Sequence, residues 1–172
     1  MRKAFTQTRQ QQVFHTAVAV LDHQAVGALS GTTVNGATPT GEAVNSGPVV
    51  VIADDDADIR HLVGVAVRRA GARTGASVAD GAAAWQAIRA TKPDLVILDV
   101  AMPRMNGLQV CRSVRANPDT AGTKVLLLSA AVQTTAIDAG LAAGADLYSV
   151  KPFRLRSLVT QIQELLAAKV GG

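Results

Sequence analysis

Five side chains in this sequence have the types and the spacing to handle a phosphoryl group: Asp54, Asp55, Asp99, Ser129 and Lys151. Each follows at once on a short, mostly apolar run. Val49 to Ala53 precedes Asp54 and Asp55, Leu95 to Leu98 precedes Asp99, Val125 to Leu128 precedes Ser129, and Leu147 to Val150 precedes Lys151. If these runs are neighbouring strands, their ends bring three carboxylates to one sheet edge, where like charges beside a low-dielectric core repel. Something positive must sit there. An oxygen-only donor set suits a hard divalent ion such as Mg²⁺, which takes one or two carboxylates, keeps several waters and adds phosphate oxygens. A carboxylate is also a nucleophile that can accept a phosphoryl group, and phosphoryl transfer asks mainly for positioning and for neutralisation of the equatorial oxygens. The metal would hold one oxygen, the Ser129 hydroxyl would donate to a second, and the Lys151 ammonium would pair with a third.

The elements that must position these groups are legible as an alternation. Val49 to Ala53 reads as a strand buried on both faces. Ala57 to Ala70 carries Ile59, Leu62, Val63, Val65, Ala66 and Ala70 at helical spacing and stops at Gly71. Ala72 to Val78 is a weaker second strand, and Gly81 to Thr91 a helix ended by Pro93. Leu95 to Leu98, Val125 to Leu128 and Leu147 to Val150 supply three more strands. Leu108 to Arg115, Ala136 to Ala143 and Arg154 to Ala168 supply three more helices. A fivefold strand and helix alternation implies an α/β fold, a parallel sheet with right-handed crossovers and helices on both faces. Ligands of such doubly wound sheets bind at the carboxyl ends of the strands, where the five residues lie.

The remainder of the chain bounds the reading. Of its 172 residues, 48% are hydrophobic, 17% charged and 3% aromatic, so the core is expected to be aliphatic. Residues 1–47 differ in texture: after Leu29 they pass into Ser30-Gly31-Thr32-Thr33-Val34-Asn35-Gly36, too poor in apolar surface to offset chain entropy. We expect a low-complexity, disordered extension there and one domain over 48–172. Val13 to Leu29 is at most a marginal helix, and it is too polar for the core of a signal peptide despite Arg2 and Lys3. No run reaches the ~20 apolar residues of a membrane span. The net charge of +4 does not point to nucleic acid, because Arg68, Arg69, Arg112 and Arg115 are scattered on what read as solvated helix faces without interleaved aromatics. Cys111 is the sole cysteine; it excludes an intramolecular disulfide, fits a reducing compartment and is expected to be buried packing.

With these motifs in order, the segment resembles the receiver domain of bacterial response regulators, the chemotaxis regulator among them. The matching stretches are Val51-Ile52-Ala53-Asp54-Asp55-Asp56 with Arg60, Pro93 through Asp99 to Gly107, Leu127-Leu128-Ser129-Ala130, and Gly144 through Tyr148 to Lys151-Pro152-Phe153. They cover essentially all of residues 49–170. The resemblance implies a flavodoxin-like sheet in the strand order 2-1-3-4-5, with Asp54, Asp55, Asp99 and the main-chain carbonyl of Ala101 holding Mg²⁺. It also implies that Asp99 is the phosphoacceptor, Ser129 the switch hydroxyl, Lys151 the phosphate-pairing lysine and Tyr148 the switch aromatic. Lys151-Pro152 is expected to be a cis peptide. A sensor histidine kinase or a histidine phosphotransfer protein would supply the phosphoryl group in the cytoplasm. The response would repack the face of the fourth helix, fifth strand and fifth helix, about Gln133 to Lys169, toward a protein partner or a phosphorylation-dependent dimer. With Gly172 directly after the last helix, output is expected through a protein partner or through the amino-terminal segment, with no direct nucleic-acid or membrane binding.

Plainer roles compete for several of these residues. Asp56 or Asp58 is expected to cap the first helix. Ser129 by itself could satisfy a backbone group, Tyr148 could be a static core aromatic, and Met102, Pro103 and Gly107 read as loop geometry. Trp85 is expected to pack the second helix on the sheet. His15, His23 and His61 show no ligand spacing and read as surface residues. A small aspartate-dependent Mg²⁺ phosphatase would use similar groups, but it needs a second carboxylate two residues after its nucleophile, where this chain has Ala101. A phosphorylation-independent interaction module is the other alternative.

Overall fold

The computed structural model describes residues 47–170. The expected N-terminal extension, the marginal helix at Val13 to Leu29, and His15 and His23 lie outside the described residues.

Five parallel strands form one sheet in the order β2-β1-β3-β4-β5. They are β1 (Val49–Ala53), β2 (Arg73–Val78), β3 (Leu95–Asp99), β4 (Lys124–Ser129) and β5 (Leu147–Val150). The central strands β1, β3 and β4 are almost wholly buried because they are aliphatic on both faces, whereas the edge strand β2, Arg-Thr-Gly-Ala-Ser-Val, is largely exposed. Asp99 and Ser129, expected one residue beyond their strands, are instead the last strand residues; Asp99 pairs with Leu128 and Ser129 with Val150. The site residues therefore inherit the rigidity of the sheet.

Alternate strand residues feed two separate cores, as the twofold period of a strand requires. Val50, Ile52, Leu95, Ile97, Leu126 and Leu128 face α1 (Ala57–Arg69) and α5 (Leu155–Val170), where they meet Val63, Val67, Leu158 and Ile162. Val51, Ala53, Val96, Leu98, Val125 and Leu127 face α2 (Gly81–Thr91), α3 (Gly107–Ala116) and α4 (Thr134–Ala142), meeting Ala84, Ile88, Val110 and Val114. Burying each Leu or Ile contributes about 1.5–3 kcal/mol before chain entropy is counted. Cys111 is fully buried in the second core, with its thiol donating to the Ala143 carbonyl at 3.2 Å; burial pushes that thiol up from its ordinary pKa.

Local chemistry sets the helix starts. Asp56 caps α1 by accepting from the amides of Asp58 and Ile59, so of the two expected candidates Asp56 is the cap. Asp80 caps α2, and Asn106 with Gln109 forms a reciprocal capping box on α3. Helix α4 has no side-chain cap, and Gly140 is its single buried residue, which makes it the most weakly held of the five. Trp85 packs, half-buried, on the second core as expected, with the Arg89 guanidinium 6.0 Å from its ring centre. His61 is exposed.

Arg115 departs from expectation. Rather than lying solvated on its helix face, it is half-buried and donates to the carbonyls of Gly144, Ala121 and Thr123 and to the Asp146 carboxylate. Its five-donor fork can serve several loop carbonyls at once, and those carbonyls belong to the turns at the opposite sheet edge from the site. Arg68, Arg69 and Arg112 are exposed.

Candidate functional site

The carboxyl edge of the sheet collects Asp54 from β1, Asp99 from β3, Ser129 from β4 and Lys151 from β5, in the lateral order set by the strands. Asp54, Asp99 and Ser129 are 1%, 5% and 6% exposed. Lys151 reaches back across β4, and its ammonium lies 2.6 Å from Asp54 Oδ2 and 2.7 Å from Asp99 Oδ1. This bridge is the central geometric fact of the site. Two buried carboxylates repel and are each expensive to desolvate; one shared cation offsets both.

The remaining carboxylate oxygens are held by the backbone. Asp54 Oδ1 accepts from the Asp56 amide at 3.0 Å, and Asp99 Oδ2 from the Ala101 amide at 2.7 Å. Arg60 donates to the carbonyls of Asp54 and Asp55, which fixes the acidic turn from the first turn of α1. Behind Asp99 the chain closes tightly: a Cβ on Gly107 would lie 2.3 Å from the Asp99 carbonyl oxygen, so only glycine permits α3 to start there. The sequence reading of Gly107 as loop geometry fits this close approach.

Burial raises the Asp54 carboxyl above its ordinary value, against the pull of Lys151 and the Asp56 amide, with Asp99 adding repulsion. For Lys151, burial acts to lower the ammonium, but the hydrogen bonds to Asp54 and Asp99 outweigh it and the pKa is raised. Lys151 is thus held as a cation. With two carboxylates against one ammonium the cluster tends toward net negative charge, a setting that attracts a further cation.

Asp55, the third carboxylate, is exposed, and among the described residues no three His, Cys, Asp or Glu side chains converge as a ligand cluster. The three-carboxylate convergence anticipated from the strand ends is a pair bridged by lysine, with Asp55 beside it in solvent. Two carboxylates and the Ala101 carbonyl are still a donor set that Mg²⁺ accepts, since it retains several waters and tolerates few protein ligands.

Ser129 Oγ accepts from the Ala131 amide at 3.1 Å, the plain backbone-satisfying contact considered for it, while remaining at the strand end beside the acidic pair. Tyr148, half-buried, donates to the Ala131 carbonyl at 3.1 Å. Both side chains therefore meet on one residue of the turn between β4 and α4. The Lys151-Pro152 peptide is cis, as expected, and the Lys151 amide donates to the Ser129 carbonyl at 2.7 Å.

The site also contains a pair that sequence reasoning did not single out. Asp80, buried, takes the Arg104 guanidinium at 2.5 Å. An Asp before a helix start signals a cap, but nothing in sequence couples it to an arginine 24 residues on.

Residues 50–163 match the response regulator receiver domain, and the chain belongs to that family, the phosphoaccepting modules of two-component phosphorelay signalling. It is 38% identical over 117 residues to the DNA-binding response regulator MtrA of Mycobacterium tuberculosis, covering 68% of this chain and 50% of the relative. It is 39% identical over 120 residues to the response regulator MprA of Mycolicibacterium vanbaalenii, covering 68% and 49%. The chain spans about half the length of the curated relatives it matches. Among solved structures, the chemotaxis protein CheY4 of Vibrio cholerae superposes with a TM-score of 0.65 at 29% identity, over 70% of this chain and 99% of that one. The receiver domain of the Francisella response regulator 1452 superposes with the same TM-score and identity, over 70% and 98%. The strand order that the resemblance implied is the order observed. No helix among the described residues is long and apolar enough to cross a membrane.

Proposed function

We propose that Asp99 accepts a phosphoryl group from a phosphohistidine of a sensor kinase or histidine phosphotransfer protein. The observation that carries this reading is the Lys151 ammonium shared between Asp54 and Asp99 at the carboxyl edge of the sheet. An Asp99 carboxylate oxygen forms the new bond to phosphorus as the phosphorus–nitrogen bond of the donor breaks, and the histidine ring keeps the electron pair. Mg²⁺ bound through Asp54, Asp55, Asp99 and the Ala101 carbonyl would supply neutralisation of charge on the phosphoryl oxygens. Lys151, already within 2.7 Å of the acceptor, pairs with one of those oxygens. Ser129 exchanges the Ala131 amide for another.

Phosphorylation adds roughly one and a half to two negative charges. Drawing Ser129 inward releases the Ala131 turn that Tyr148 also holds, and so couples the site to the weakly anchored α4 and the α4-β5-α5 face. A downstream protein, or a second copy of the chain, would read that face. We assign residues 48–172 to the receiver and 1–47 to an appended segment, place the chain in the cytoplasm with its kinase, and regard catalysis as limited to its own phosphorylation and dephosphorylation. Intact mass after incubation with a small phosphodonor and Mg²⁺ tests the reading: the wild type gains one base-labile phosphoryl group and Asp99→Asn gains none. An unmodified wild type would favour a phosphorylation-independent module.

A further inference from the structure

Arg104 stands out in the β3–α3 loop because its backbone has φ +66°, a left-handed conformation that favours glycine over any residue with a side chain. Its side chain is 71% exposed, yet it ends on Asp80, whose side chain is 6% exposed. Asp80 Oδ1 caps α2 through the Ala83 amide, leaving Oδ2 for Arg104. The same strap from β2 to α2 is tied to the acidic turn, since the Asp54 amide donates to the Val78 carbonyl at 3.2 Å. It also presses on the β3–α3 loop: a Cβ on Gly81 would lie 1.8 Å from the Met105 carbonyl oxygen. One short segment, Val78 to Gly81, therefore touches both loops that carry the acidic groups of the site.

We propose that Asp80 and Arg104 are positioning residues whose ion pair latches the β3–α3 loop to α2 and so sets the Mg²⁺ affinity of the site without touching the ion. The proposal rests on the reading of Asp54, Asp99 and Ala101 as the ion's ligands. Loop strain at Arg104 persists only where surroundings over-determine it, and the buried Asp80 carboxylate supplies the determinant. Without the pair, nothing ties the β3–α3 loop to α2, whatever residue holds the left-handed position, and the Ala101 carbonyl at the start of that loop is no longer held in place beside Asp99.

The variants separate latching from mere stability. Asp80→Asn keeps the helix cap, because Asn caps as well as Asp, but loses the charge. Arg104→Gly suits the left-handed backbone and loses the cation, and Arg104→Lys retains a cation at the same place. On the 172-residue chain, Mg²⁺ titration is followed by the amide NMR shifts of Asp99 and Ala101, alongside thermal melting. We expect Asp80→Asn and Arg104→Gly to weaken Mg²⁺ binding about tenfold, the lower end of what loss of an outer-shell partner does, with melting near that of the wild type. Arg104→Lys should bind within about threefold of wild type, as expected if charge rather than fork geometry carries the latch. Wild-type affinity in Arg104→Gly, or an Arg104→Lys as weak as Arg104→Gly, overturns the latch alone. A wild type that binds no Mg²⁺ overturns the site reading and the latch with it.

Discussion

Lys151 bridges the two buried carboxylates of the site, Asp54 and Asp99, and so offsets their repulsion. Removing one partner of a fully buried ion pair costs about 3–5 kcal/mol; the Lys151 side chain is 19% exposed, which brings the expectation for Lys151→Met down to about 2–3 kcal/mol. Urea denaturation without Mg²⁺ should show that loss, and added Mg²⁺ should restore much of it by taking the ammonium's place; unchanged stability would mean the bridge does not hold in solution. The alkaline limb carries a matching signature. Because the folded Lys151 pKa is raised above 10.5, its contribution is fully present below that value and is lost as pH rises through the raised one. The identities of the acidic pair, Ser129 and Lys151 were legible in sequence because each closes an apolar run. Which partner the ammonium chooses was not, since that depends on the reach of a lysine across β4.

At the scale of elements, the sheet and helices were legible almost residue by residue, because aliphatic runs and caps such as Asp56 and Gly71 are local signals. The tertiary ties are non-local and escaped it: Arg115 binds turns up to 31 residues away in sequence, and Asp94 joins β1 to α5. Asp94 accepts from the Val49 amide and from Lys169, at 2.8 Å each. Burial acts to raise the Asp94 carboxyl, but Lys169 and the Val49 amide outweigh it and hold the pKa below 3.8. Its stabilisation is therefore present above that value and lost as pH falls through the lowered one. Asp94→Asn keeps an acceptor for Val49 and loses the ion pair. With both partners 35% exposed, the difference from wild type should be only about 0.5 kcal/mol near neutrality and should vanish in urea midpoints taken through the acid limb. A gap that persists at the acid end would assign it to something other than charge.

For the molecule as a whole, the fivefold alternation was enough to anticipate a parallel sheet with helices on both faces, since right-handed crossovers leave few alternatives, while the strand order came from the resemblance and not from the alternation. The core side chains described fall between Val50 and Leu166. A chain beginning at Gly47 should accordingly fold with a urea midpoint indistinguishable from that of the 172-residue chain and accept a phosphoryl group at the same rate. Loss of folding or of phosphorylation would place part of the receiver upstream of the boundary at residue 48. Relatives named as DNA-binding regulators match over about half of their length, so the shared half speaks for the receiver, and its output is tested by what binds the α4-β5-α5 face on phosphorylation.

The proposed chemistry puts the phosphoryl group on one carboxylate, that of Asp99. Borohydride reduction of the phosphorylated protein, followed by peptide mapping, converts an aspartyl phosphate to homoserine at the modified position. The predicted result is homoserine at position 99 alone. Homoserine at position 54 or 55, or at none, would contradict it.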